Sequence, residues 1–211
     1  MGRALRKTVP MFPELAVREL VANALIHQDF LVRGAGPMVE IFEGRLEITS
    51  PGEPLIEPER FVDSPPRSRN EALASMMRRL GICEERGSGI DKVAFQVEFH
   101  QLPAPLFEAA SGSTRAVLFA HKPLADMDKT ERVRACYLHA CLQYVTHSPM
   151  TNASLRKRFG ITARNAATAS RILSEALAEG HIVLRDPDVG TKSRSYLPYW
   201  ASPNAERLRL A

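Results

Sequence analysis

Apolar residues recur along the chain with two different periods, and the changes of period divide it into elements. Residues 17–30 are apolar nearly all round, as expected for a mostly buried helix. Within them Glu19, Asn23 and His27 are spaced i, i+4, i+8, which places them in one narrow polar stripe. Pro13 suits a first helical turn, so the helix is predicted to open there. Residues 31–37 form a loop, and residues 38–42 and 45–49 alternate around Glu43-Gly44 as a β-hairpin. Residues 50–69 contain five prolines and little periodicity; a loop this long is commonly a lid or a binding loop. Asn70 is placed to cap a helix that runs to Leu80 and closes at Gly81. Another helix, residues 90–100, follows Arg86-Gly87-Ser88-Gly89, and strands at 106–109 and 115–121 flank the turn Ser111-Gly112-Ser113.

Residues 121–128 have turn and charge character without a pattern, and a domain boundary is expected there. Beyond it the pattern is mainly helical: residues 129–145, 152–159 and 162–179, the last with Thr162 as N-cap. Ala169, Ile172, Leu173, Ala176 and Leu177 give that helix its core stripe. Two short strands, 181–185 and 193–197, pair across Asp186-Pro187-Asp188-Val189-Gly190. Three helices with a short turn before the third, then a two-stranded ribbon, are in the order of a winged helix-turn-helix.

Charge sharpens this division. Residues 1–128 hold 15 Lys/Arg against 18 Asp/Glu, whereas residues 129–200 hold 11 against 5. A basic half beside a slightly acidic one points to a polyanion met by the C-terminal half alone; a solvated basic surface is the alternative. The length of 211 residues suits one medium domain or two small ones. No apolar run of about 18 residues occurs, so no membrane span is expected. The basic N-terminus lacks the apolar core of a secretory signal, and three cysteines fit a reducing compartment, so the expected location is cytoplasmic.

The polar stripe carries the first candidate chemistry. Buried polar groups need partners, which either the protein or a polar ligand must supply. A carboxylate can serve as a general base, and an amide oxygen is a hard ligand suited to Mg²⁺. Downstream, Leu46-Glu47-Ile48-Thr49-Ser50-Pro51-Gly52, Arg67-Ser68-Arg69-Asn70 and Gly87-Ser88-Gly89-Ile90 follow in order. Together with Glu19-x-x-x-Asn23-Ala24, these motifs resemble the divergent GHKL-like ATPase domain of proteins labelled RecG-related helicases or putative transcriptional regulators. The resemblance covers residues 10–120. It implies Mg²⁺ with ATP, Glu19 as catalytic base and Asn23 as the Mg²⁺ ligand. It also implies a nucleotide site that includes His27, Ser50, Gly52, Arg69, Asn70, Gly87, Ser88 and Gly89. The fold so implied is an α/β sandwich with a mixed sheet over residues 10–121, followed by a mainly α winged helix-turn-helix over residues 129–200.

One departure stands out. Ser50-Pro51-Gly52-Glu53-Pro54 lies where the family has D-x-G-x-G, so an aspartate for the adenine amino group is missing and ATP is expected to be only weakly preferred over GTP. Family members commonly carry an upstream Schlafen/AlbA-like domain; it is absent here, so the chain is expected to be a C-terminal fragment or a short natural form. Helicase activity is not expected, because no G-x-x-x-x-G-K-[ST] loop is present.

The second candidate is the basic half. At the start of the third helix Arg164 and Asn165, with Arg171 two turns on, suit bidentate contacts to guanine and adenine edges. Arg156, Lys157 and Arg158, with Lys192 and Arg194 on the wing, could neutralise phosphates of double-stranded DNA. Cys136, His139 and Cys141 point different ways on a helix and lack a fourth ligand, so no metal is expected there. Trp200, Tyr196 and Tyr199 are expected to pack the last strand on the helical core. Three readings follow: a nucleotide-linked DNA-binding regulator of transcription, an ATPase in DNA metabolism, or a protein-interaction module with a degenerate pocket. Self-association is compatible with each.

Overall fold

The structure is a computed structural model that describes residues 10–62, 64–65, 67–83 and 89–202. In chain order its elements are α1 (Glu14–His27), β1 (Met38–Phe42), β2 (Arg45–Pro51), α2 (Glu71–Arg79), α3 (Gly89–Phe99), β3 (Leu106–Ala110) and β4 (Ser113–Phe119). They are followed by α4 (Lys129–Val145), α5 (Asn152–Phe159), α6 (Ala166–Ala178), β5 (Ile182–Leu184) and β6 (Tyr196–Pro198).

The first four strands form one sheet in the order β1-β2-β4-β3. Every neighbouring pair is antiparallel, so the mixed sheet expected from the sequence is corrected. The connection through α2 and α3 does bring β3 back in the direction of β2. The tight hairpin at Ser111-Gly112 then inserts β4 between them, so the parallel strands never become neighbours.

Leu46 and Ile48 of β2, with Leu118 of β4, meet Ala16, Leu20 and Ala24 of α1 and Val93 and Val97 of α3 in one buried cluster. On the opposite face Arg115 bridges Glu108 and Glu47, beside the buried Val117 and beside Phe119, over which the Arg134 guanidinium stands.

The C-terminal half has its own core, in which Val133, Cys136 and Ala140 of α4 pack against Leu155 of α5 and Ala169, Ile172 and Leu173 of α6. Capping boxes open α4 (Asp128 with Glu131) and α5 (Thr151 with Ser154). The helix expected from Thr162 begins instead with a 3-10 turn, Ala163–Asn165, and becomes α-helical at Ala166. Thr162 makes no side-chain cap bond; the Asn152 amide donates to Ala166 O at 3.1 Å and Ser170 Oγ at 3.0 Å, tying the start of α5 to that of α6. The last strands are shorter than the pattern predicts, because Thr191–Ser193 forms a 3-10 turn before β6.

A third cluster belongs to both halves: Val62, Ala94 and Ala104 pack against Ala135, Tyr137, Leu138 and Cys141. Trp200 also lies here rather than on the helical core alone. Its indole N–H donates to Tyr137 Oη at 3.0 Å, and the Arg60 guanidinium stands over its ring. Polar contacts cross the same boundary. Glu98, at the end of α3, accepts from His139 Nδ1 at 2.9 Å and lies 3.5 Å from Arg158 Nε. Arg158 Nη2 donates to Leu102 O at 2.6 Å.

Candidate functional site

α1 is buried on one side against the sheet and on another against α3, and its polar stripe turns toward a cavity of about 480 Å³. Leu20, Ala24, Ile48, Phe61, Phe107 and Ala116 give the cavity apolar walls. Glu19, Asn23, His27, Ser50, Ser68 and Gly89 also line it, so residues separated by 70 positions in sequence share one space. The long loop contributes Leu55, Ile56 and Phe61 to one side of the cavity.

Glu19 is only 2% exposed, and Arg18 Nη2 lies 3.5 Å from its Oε1, at the limit of a hydrogen bond. Among the described residues, neither Asn23 nor His27 makes a side-chain hydrogen bond. Burial, and after it the nearby Arg69 charge, hold the His27 imidazolium pKa below its ordinary value, so the neutral ring is favoured. Glu19 therefore has Arg18, whereas Asn23 and His27 face the cavity without a side-chain partner among the described residues. Gly89 stands directly against it: a Cβ there would sit 3.1 Å from Glu19 Oε2 and 3.6 Å from Asn23 Nδ2. The bare backbone lets the start of α3 approach both side chains closely.

Ser50 Oγ donates to Ala24 O at 2.7 Å, which commits its proton and leaves an acceptor. Gly52 has φ +108°, and a Cβ there would lie 1.9 Å from Arg69 Nη1. Arg69 donates to Glu53 O at 2.6 Å and lies 3.4 Å from Asp29 Oδ2, so it clasps the Gly52-Glu53 turn to the segment after α1. Asn70 does not cap α2. Its amide donates to Ile26 O at 2.9 Å and Gln28 O at 2.7 Å and closes the end of α1 instead. Arg69 and Asn70 therefore brace the cavity rather than line it. Gly87 and Ser88 lie outside the described residues.

Sequence reasoning missed Arg78, which lines the cavity, and Asp29, the partner of Arg69. The signal for Arg78 was available: Glu71, Ala74 and Arg78 are spaced i, i+3, i+7 along α2, and all three line the cavity.

The basic face divides less cleanly. Arg164, Asn165 and Arg171 are exposed, with Ala167, Ser170 and Ser174 on the same open side of α6. Lys157 is exposed, and Arg156 is half-buried and donates to Asn152 Oδ1 at 3.0 Å. Arg194 is half-buried, with its Nε buried and without a hydrogen bond. The Lys192 side chain lies outside the described residues. The expectation that Arg158 meets phosphate is corrected, because its side chain is 1% exposed and held by Glu98 and Leu102 O. Burial lowers the Arg158 pKa, against the pull of Glu98. His139, which the sequence places near two cysteines, is held by Glu98 and by Ser154 Oγ at 3.1 Å.

The segment with the cavity's sheet has a known counterpart. Residues 34–118 match the family described as Putative ATP-dependent DNA helicase recG C-terminal. That segment is similar to a divergent ATPase-like domain. The match starts beyond α1, so Glu19, Asn23 and His27 stand outside it, while Ser50, Gly52, Arg69 and Gly89 fall within it. No curated protein matches the chain. Among solved structures, the DIP2311 protein from Corynebacterium diphtheriae is similar in fold, with a TM-score of 0.51 at 18% identity. The similarity covers 91% of this chain and 51% of that one, so this chain spans about half its length. Among the described residues no helix is long and apolar enough to cross a membrane.

Proposed function

We propose that the cavity of the ATPase-like domain binds a Mg²⁺-nucleotide, and that the C-terminal half is a winged helix-turn-helix that binds duplex DNA under its control. The domains so assigned are residues 10–121 and 129–200. The observation that carries the pocket reading is that, among the described residues, Asn23 and His27 face the cavity without side-chain hydrogen-bond partners, beside a buried carboxylate and a bare Gly89 backbone. Both side chains are half-buried on the cavity wall, where a polar ligand would supply the hydrogen bonds that the protein does not.

The donor set fits Mg²⁺ with nucleotide: Asn23 Oδ1 is a neutral hard oxygen, and Glu19 is a carboxylate within the same space. When bound, Mg²⁺ would neutralise phosphate charge and fix its geometry. Glu19 would act as the base that takes a proton from water, and apolar walls such as Phe61 and Phe107 would exclude bulk solvent. Ser50 offers the base one neutral acceptor, which suits an amino group but brings no charge.

For DNA, the small side chains Ala167, Ser170 and Ser174 on the open side of α6 allow close approach of a groove, with Arg164 and Asn165 at the entry turn. Coupling between the sites is supported by two walls of the cavity that also grip the C-terminal half. α3 contributes Gly89 to the cavity and Glu98 to the His139–Arg158 contact. The long loop contributes Phe61 to the cavity, and its Glu59 O accepts from Tyr137 Oη at 2.7 Å. Transcriptional regulation is the function this arrangement suits best.

Thermal melting of wild type, Glu19→Gln and Asn23→Ala, with and without Mg²⁺-ATP, tests the pocket. Wild type and Glu19→Gln should be stabilised by nucleotide, with turnover lost in Glu19→Gln by about 10²–10⁴-fold. Asn23→Ala should lose the part of the stabilisation that depends on Mg²⁺. A wild-type melting temperature that saturating nucleotide does not move would end the pocket reading.

A further inference from the structure

We propose that Arg67 and Arg78 clamp the phosphate chain of the ligand, so that the cavity selects nucleoside polyphosphates by phosphate number. The proposal rests on the nucleotide reading of this cavity and names the part of the ligand that the stripe does not reach.

Both arginines line the cavity, Arg67 from the long loop and Arg78 from the last turn of α2. Among the described residues neither guanidinium has a hydrogen bond or an ion pair. That sets them apart from the arginines that hold the fold: Arg69 has Asp29 and Glu53 O, Arg115 has Glu108 and Glu47, and Arg158 has Glu98 and Leu102 O. Two guanidiniums on one cavity, without partners among the described residues, are the donors that a phosphate requires, since guanidinium forms charge-assisted, fork-shaped bonds to its oxygens.

The rest of the lining argues against a generic anion trap. Glu19, Glu53 and Glu71 also face the cavity, so the field of the whole space does not favour negative charge. An anion gains there only where it reaches the two arginines, or carries Mg²⁺ to meet the carboxylates. A molecule with an apolar flat end for Phe61, Phe107 and Ile48 and a chain of phosphates satisfies both conditions.

Calorimetric titration of wild type, Arg67→Gln and Arg78→Gln with adenosine, ADP, ATP and inorganic tripolyphosphate, each with Mg²⁺, tests this. Wild-type affinity should rise from adenosine to ADP to ATP. Each substitution should weaken ATP by about tenfold or more, the loss expected for a charged hydrogen bond, and leave adenosine unchanged. Unchanged adenosine binding also shows that the variant is folded. If wild type binds adenosine and ATP equally, or if the variants lose both alike, the arginine clamp is overturned while the nucleotide pocket stands. If tripolyphosphate binds and loses affinity in both variants while no nucleotide binds, the clamp stands and the nucleotide reading falls. If no probe binds, both fall.

Discussion

Glu98 is the residue whose loss should most damage the join between the two halves. Its carboxylate faces the Arg158 guanidinium, whose side chain is 1% exposed, and His139, whose side chain is 5% exposed. Glu98→Ala leaves Arg158 buried with one carbonyl, Leu102 O, to answer its charge. Breaking a buried pair by removing one partner costs about 3–5 kcal/mol, most of it the uncompensated charge left behind. Arg158→Met removes the cation itself. Glu98 then keeps His139 at 2.9 Å, and the main deficit is the unpaired Leu102 carbonyl, worth about 1–3 kcal/mol. The double variant should therefore cost at least about 1 kcal/mol less than the sum of the two single changes, as expected for residues in contact. Urea unfolding of the four proteins, with a common slope against denaturant, measures each term. Glu98→Ala no more destabilising than Arg158→Met, or a cycle that adds, would refute the electrostatic account of this join.

Gly52→Ala should be destabilised by about 1–3 kcal/mol, because φ +108° strains any Cβ and the Cβ would meet Arg69 Nη1 at 1.9 Å; a melting temperature equal to wild type would contradict this. His27 titrates below its ordinary value of 6.5 in the folded chain, so its contribution to stability is complete above pH 6.5 and is lost as pH falls through the folded value. His27→Gln should flatten the fall of stability below pH 6.5, and slopes that stay parallel to wild type would show that the ring is not the source. For DNA, affinity should fall steeply with salt, and Arg164→Ala should relax sequence preference whereas Lys157→Ala should weaken all sequences alike. Binding indifferent to salt in a filter or anisotropy assay would exclude phosphate contact.

Local pattern alone placed most of the elements. The hairpin about Glu43-Gly44, the proline-rich loop, and the helices at Lys129–Val145 and Asn152–Phe159 all follow from period and turn residues, because these act within a few positions. The stripe of Glu19, Asn23 and His27 was likewise legible, since helical spacing aligns side chains whatever surrounds them. Whether that stripe is satisfied was not legible: the answer depends on a cavity whose walls come from α1, the sheet, the long loop and α3, far apart in sequence. The same holds for charge. Lys157 and Arg158 read alike along the chain, yet packing buries Arg158 against Glu98 and leaves Lys157 exposed. Asn70 reads as a cap for α2 and instead closes α1, because two carbonyls at the end of α1 reach it first. Period and turn chemistry are properties of neighbours along the chain. Strand order, the partner of a charge and the emptiness beside a polar group are properties of neighbours in space, and only the folded chain decides them.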